Sequence, residues 1–151
     1  DTRSNRMKKV LILVVSIFFL GCRDNVELKE YFMSIGVKLD RSRSVAIVIP
    51  QNGCPGCLKK AFDFYHRTRE GGKVWFVLTE VSDLRLLKMK VNSEFREETT
   101  VLDQENLWRD FGLYSTYPLI VINDNGKLSR TVADPGFTDI DWTELIEKHD
   151  L

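Results

Sequence analysis

Val45-Ala46-Ile47-Val48-Ile49-Pro50-Gln51-Asn52-Gly53-Cys54-Pro55-Gly56-Cys57 decides the reading of this chain. Residues 45–49 have the length and β-branched content of a buried strand, and 50–53 break it. From Cys54 to Arg69, apolar residues fall at Cys57, Leu58, Ala61, Phe62 and Tyr65, the spacing of one helix face. Gly71-Gly72 ends that helix. Two thiols three residues apart therefore stand at a strand-to-helix junction. The free N–H groups and partial positive charge of a helix N-terminus favour a thiolate there. Cys54 is expected to titrate below the ~8.5 of a free thiol. Cys57 is expected one turn in, on the same face and more buried. Cys54 would then attack a substrate disulfide, and Cys57 would attack the resulting mixed disulfide and release the product. Pro55 costs little in a first helical turn, where its missing N–H has no partner to lose.

Downstream, residues 74–78 read as a second buried strand, and Ser82 as the cap of a helix carrying Leu84, Leu87 and Val91. Strand, helix, strand, helix argues for a parallel sheet. Residues 99–102 read as a short strand, and 105–111 as a helix closed by Gly112. Residues 118–122 form a strand, Asn123-Asp124-Asn125-Gly126 a hairpin turn, and 127–132 the returning antiparallel strand. After Pro135-Gly136 comes a last helix, with Asp141 and Glu144 spaced for a capping box and Trp142, Leu145, Ile146 and His149 on one face.

The N-terminal part is of another kind. Met7-Lys8-Lys9 is a basic start, and residues 10–20 are an apolar run broken only by Ser16. Basic, apolar, then small is the layout of a secretory signal peptide, too short for a transmembrane helix. Residues 1–6 precede Met7 and are read as lying outside the fold. The site Phe19-Leu20-Gly21-Cys22 resembles a bacterial lipobox, with Phe19 where Leu is usual. That resemblance implies cleavage before Cys22 and lipid on its sulfur and amine. The competing reading is an ordinary cleaved signal with an incidental Cys. The chain has three Cys, so lipid on Cys22 leaves Cys54 and Cys57 as a self-contained pair. The division expected is 1–21 upstream residues and signal peptide, 22–44 a lipid-attached tether with a short helix, and 45–151 one domain. In the tether, Asn25 can cap a helix with Leu28, Tyr31, Phe32 and Ile35 on one side.

At 151 residues the chain suits one domain, and zero net charge gives no sign of a nucleic-acid surface. The order of elements resembles the thioredoxin fold, and the stretch 99–132 resembles its TlpA-like (AhpC/TSA-type) branch. The resemblance covers residue 45 to the C-terminus. It rests on the CxxC at this junction, the Tyr117-Pro118 loop before a strand, and the Asn-Gly hairpin. It implies an α/β fold with a central mixed sheet flanked by helices on both faces. It further implies a cis Pro118 facing the cysteines and Tyr117 backbone groups offered to an extended substrate. The implied activity is thiol–disulfide exchange with protein thiols and disulfides, with no cofactor beyond the Cys54–Cys57 disulfide and with a membrane electron donor as a possible partner. The setting implied is a bacterial cell envelope, lipid-anchored and periplasm-facing. Arg23 is not the Asp that retains some lipoproteins at the inner membrane, which favours the outer membrane.

Three features depart from the family pattern. Gly53 replaces the Trp common before the first Cys, Val48 the buried Asp six residues before it, and Lys59 and Lys60 a Glu in the helix. The base serving Cys57 is therefore open, with Asp63 and Glu80 as candidates. The main alternative function is a binding module whose Cys54–Cys57 disulfide is structural, although so short a loop is a poor staple. A peroxiredoxin would need a hydroxyl where Gln51 stands. Two Cys with the distant His66 and His149 fall short of the spacing a zinc site uses, so no metal is expected.

Overall fold

The computed structural model describes residues 26–90 and 98–151. Cys22, Asn25 and Val91 lie outside them. Five strands form one sheet: β1 (Val45–Pro50), β2 (Val74–Thr79), β3 (Thr100–Leu102), β4 (Leu119–Asp124) and β5 (Lys127–Val132), in spatial order β3-β2-β1-β4-β5. β1 runs parallel to β2, and β2 to β3, while β1–β4 and β4–β5 are antiparallel. The sheet is thus mixed.

The helices are α1 (26–34), α2 (Pro55–Thr68), α3 (Leu84–Lys90), α4 (Leu107–Asp110) and α5 (Asp139–His149). Successive strand residues point to opposite faces, and β1 shows what each face receives. Val45, Ile47 and Ile49 pack with Leu58, Ala61, Phe64 and Tyr65 of α2, Leu87 of α3, and Trp142 and Leu145 of α5. Ala46 and Val48 pack with Leu28, Tyr31 and Phe32 of α1 and Trp108 of α4. β1 is buried along its whole length, as its continuous apolar run requires.

Several expectations shift. Within 22–44, where a tether with a short helix was expected, the helix α1 is docked into the core. Leu28, Tyr31 and Phe32 are each at most 3% exposed, because α1 shares the cover of the second face of the sheet with the short α4. The Tyr31 hydroxyl donates to the buried Asp103 carboxylate at 3.1 Å. The loop following α1 is stitched on as well: Asn123 Nδ2 donates to the Leu39 carbonyl at 2.8 Å, and Trp75 Nε1 to that of Lys38 at 3.0 Å. α3 is capped by Asp83 instead of Ser82, its Oδ1 accepting the Arg85 and Leu86 N–H groups. α5 starts earlier than expected: Thr138 is the N-cap and Asp141 its reciprocal partner three residues on. The hairpin is as expected, with Asn125 and Gly126 both at positive φ (51° and 91°), the pair a tight type I′ turn needs.

Candidate functional site

β1 delivers the chain to α2 at the carboxyl end of the parallel strands. The Gly53 N–H donates to the Pro50 carbonyl at 3.2 Å and the Gln51 N–H to the Thr79 carbonyl at 2.9 Å, so the connecting turn is held to β2. Cys54 is the N-cap of α2, and Pro55 occupies the first helical turn. The Cys54 carbonyl accepts the first helical bond from Leu58, at 2.9 Å. Cys54 is half-exposed and Cys57 buried, and the two stand as thiols with their sulfurs 2.6 Å apart.

The two thiols are electrostatically unequal. The Cys54 side chain makes no capping bond. Its pKa is lowered first by the hydrogen bond from the Cys57 thiol, then by the Cys57 and Gly56 backbone N–H groups. Burial, then the hydrogen bond and charge of Cys54, then the Asp134 carboxylate push the Cys57 thiol up to about 11. A thiolate therefore forms at the accessible sulfur while the inner one holds its proton. In the reduced protein, alkylation of Cys54 by iodoacetamide is expected to rise with pH and reach half its plateau below the ~8.5 of a free thiol. Cys57 should react only in strongly alkaline solution. Equal pH dependence at the two sites, read by mass spectrometry, would contradict this inequality.

The second wall is the loop before β4. The Cys54 N–H donates to the Thr116 carbonyl at 2.9 Å, which ties this loop to the helix start. That contact explains Gly53. A Cβ there would collide with the Thr116 carbonyl and stand 3.2 Å from the Pro50 carbonyl. The bulky residue that the family pattern places before the first Cys has no room. Gly53→Ala is expected to cost roughly 1–3 kcal/mol through forced backbone shifts and to slow exchange, with urea unfolding as the check. An unchanged midpoint would show that the loop yields freely.

Pro118 departs from its expected geometry. No peptide bond among the described residues is cis, so Tyr117–Pro118 is trans. Pro118 leads straight into β4 and its carbonyl accepts the Ala133 N–H at 2.8 Å, a ladder contact that the extended trans chain supplies. Tyr117 has both backbone groups engaged by one hydroxyl: Ser115 Oγ donates to its carbonyl at 2.9 Å and accepts from its N–H at 3.1 Å. Ser115 would have to release them before Tyr117 could pair with a substrate strand.

The two carboxylates considered for Cys57 are occupied elsewhere. Asp63 pairs with Lys59 at 2.9 Å on the solvent side of α2. Glu80, buried at the end of β2 with φ +56°, pairs with Arg109 at 2.6 Å. Lys60 is turned toward the Phe137 carbonyl and Asp139. The carboxylate whose charge reaches Cys57 is Asp134. Nothing local in the sequence marks it, since only the β4–β5 hairpin brings it to this end of the sheet. His66 Nε2 lies 3.2 Å from the Lys90 carbonyl, and His149 sits on α5. Among the described residues no three His, Cys, Asp or Glu side chains are grouped to hold a metal.

An open groove of about 620 Å³ runs along α2 with Gly53, Pro55, Leu58 and Phe62 among its lining, and neither cysteine lines it. A second, of about 590 Å³, lies between α1 and the β4–β5 hairpin. A parallel β1–α2–β2 unit, an antiparallel β4–β5 hairpin and a thiol pair at the start of the crossover helix settle the architecture. The fold is thioredoxin-like. No protein-family model matches the chain, and no curated protein does. Among solved structures, a secreted Mycobacterium tuberculosis disulfide oxidoreductase homologous to E. coli DsbE is similar at 18% identity. The match covers 74% of this chain and 83% of that one, with a TM-score of 0.49. A thioredoxin-like protein from Porphyromonas gingivalis, described as uncharacterized, is similar at 20% identity over 75% of this chain and 78% of that one, with a TM-score of 0.46. At these values neither likeness adds to what the sheet order of the thioredoxin-like fold already shows.

Proposed function

We propose that this chain is a lipid-anchored thiol–disulfide oxidoreductase of a bacterial cell envelope, exchanging disulfides with protein partners through Cys54 and Cys57. One observation carries the reading: a half-exposed Cys54 at a helix N-cap with a lowered pKa, beside a buried Cys57 pushed up to about 11. A structural staple has no use for that inequality, whereas exchange needs an accessible thiolate and a thiol held in reserve. The electrons reside in the dithiol itself, so the reaction calls for no further cofactor. In this reading Tyr117 and Pro118, which follow the Thr116 carbonyl that accepts the Cys54 N–H, serve as the substrate wall.

The address rests on the signal-like residues 10–22 and on Cys22 as the lipidated residue. No helix among the described residues is long and apolar enough to cross a membrane. α1 is under way by residue 26, so a lipid on Cys22 would hold the domain close to the bilayer, outer membrane favoured. There a membrane electron donor could reduce the pair. Insulin reduction with dithiothreitol tests the activity. Turnover well above the uncatalysed rate is expected. Background turnover, together with a Cys54 that titrates as a free thiol, would leave a structural disulfide in a binding module.

A further inference from the structure

Tyr117 stands just outside the sheet. β4 begins at Leu119, which pairs with Val48 of β1 and with Val132 of β5. The Pro118 carbonyl still takes the Ala133 N–H at 2.8 Å, and a proline has no N–H of its own to give. Among the described residues no strand pairs with Tyr117. One oxygen meets both of its backbone groups: Ser115 Oγ donates to the Tyr117 carbonyl at 2.9 Å and accepts from the Tyr117 N–H at 3.1 Å. The N–H and C=O of Tyr117 therefore face the same side. A residue in a hydrogen-bonded antiparallel pair presents its two groups in that way.

This pair of groups is one residue from the contact with the nucleophile. Thr116, between Ser115 and Tyr117, accepts the Cys54 N–H on its carbonyl at 2.9 Å. In the reading above, a partner segment bonded to Cys54 lies along this loop, where Tyr117 has the layout of a ladder edge. Ser115 already stands in for that segment. Its hydroxyl donates where a partner N–H would donate, and accepts where a partner carbonyl would accept. Ser115 is half-buried and Thr116 exposed, so rotation of one small side chain frees the pair.

We propose that Ser115 is a specificity-determining residue, its hydroxyl closing the strand-pairing groups of Tyr117 to loose, extended peptides. The inference rests on the oxidoreductase reading above. A peptide that pairs with Tyr117 displaces two hydrogen bonds to make two, so the exchange returns little free energy. A loose peptide also loses backbone entropy when it is ordered, and gains nothing here to offset that loss. A small disulfide needs no backbone contact and meets the Cys54 sulfur without moving Ser115. A folded partner whose cysteine lies beside an already extended edge has less freedom to lose. The site therefore favours small disulfides and folded partners over unstructured chains.

The test gives the reduced protein two disulfides that release the same thionitrobenzoate. One is 5,5′-dithiobis(2-nitrobenzoate), and the other is a short unstructured peptide joined through its single cysteine to thionitrobenzoate. Release is followed with increasing peptide until it saturates. In Ser115→Ala the half-saturating peptide concentration is expected to fall about fivefold or more, while the plateau rate and the rate with the small disulfide stay within about twofold. Ser115→Thr, which keeps the hydroxyl, should behave as the wild type. The same peptide N-methylated beside its cysteine should lose most of the gain. Equal half-saturation in the wild type and Ser115→Ala, or an equal gain with the methylated peptide or the small disulfide, overturns the inference. Amide hydrogen exchange checks the same contact without any chemistry at sulfur. The Tyr117 N–H should exchange more slowly in the wild type than in Ser115→Ala, and equal rates overturn the inference as well. A wild-type Cys54 that reacts with both disulfides no faster than an ordinary free thiol overturns the oxidoreductase reading instead.

Discussion

Replacing Cys54 by Ser is expected to reduce disulfide exchange to background, a loss of roughly three orders of magnitude, while replacing Cys57 by Ser turns the protein into a trap for its partners. The two effects differ because the two sulfurs do. Cys54 sits at the N-cap, half-exposed, with the Cys57 thiol and two backbone N–H groups favouring its anion. A serine hydroxyl there stays protonated and attacks no disulfide. Cys57 is only 6% exposed and reaches Cys54 rather than solvent. Without it the first attack proceeds, but nothing releases the mixed disulfide. Thiol-blocked envelope extracts run without reductant should therefore show Cys57→Ser in covalent adducts that collapse on reduction. Adducts equally abundant in Cys54→Ser would mean that the outer sulfur is not the nucleophile.

Asp103→Ala is expected to destabilise the fold by about 3 kcal/mol or more. Asp103 is 2% exposed and accepts three hydrogen bonds. Its Oδ1 takes the Leu107 N–H at 3.0 Å, and its Oδ2 takes the Trp108 N–H at 2.8 Å and the Tyr31 hydroxyl at 3.1 Å. Alanine leaves all three donors without that acceptor, two of them buried, and each buried donor costs about 1–3 kcal/mol unpaired. It also cuts the polar tie between α1 and the rest of the core. The Tyr31 phenol keeps its proton to high pH, because burial and then the Asp103 charge both oppose its anion. Urea unfolding should show the loss as a lower midpoint at similar slope. Asp103→Asn, which keeps an acceptor, should lose less. A change within about 0.5 kcal/mol for Asp103→Ala would show that α1 docks by apolar contact alone.

What could be read from the chain alone was whatever is set by neighbours in sequence. The buried strand over 45–49, the helix that starts at the cysteines and the Asn125-Gly126 turn are all local patterns, and the structure has them there, with β1 one residue longer, to Pro50. The face of Leu28, Tyr31 and Phe32 was equally visible, but not its partner. The even-numbered side of β1 needs a cover, and that emerges only when the sheet is assembled. The site divides in the same way. The inequality of Cys54 and Cys57 follows from helix position. The trans Pro118, the Ser115 hydroxyl on both backbone groups of Tyr117, the crowding that requires Gly53 and the approach of Asp134 all come from loops meeting across the end of the sheet. Asp63 and Glu80 were reasonable candidates by sequence distance, yet each has a cation closer at hand.

The most direct test of exchange through Cys54 and Cys57 is the reduction potential of the pair, measured by equilibration in glutathione buffers with quantified alkylation. A catalytic pair with one favoured thiolate should give a two-electron transition between about −120 and −270 mV, the span of known exchange proteins. A disulfide that stays closed below about −300 mV would behave as a structural staple and contradict the account.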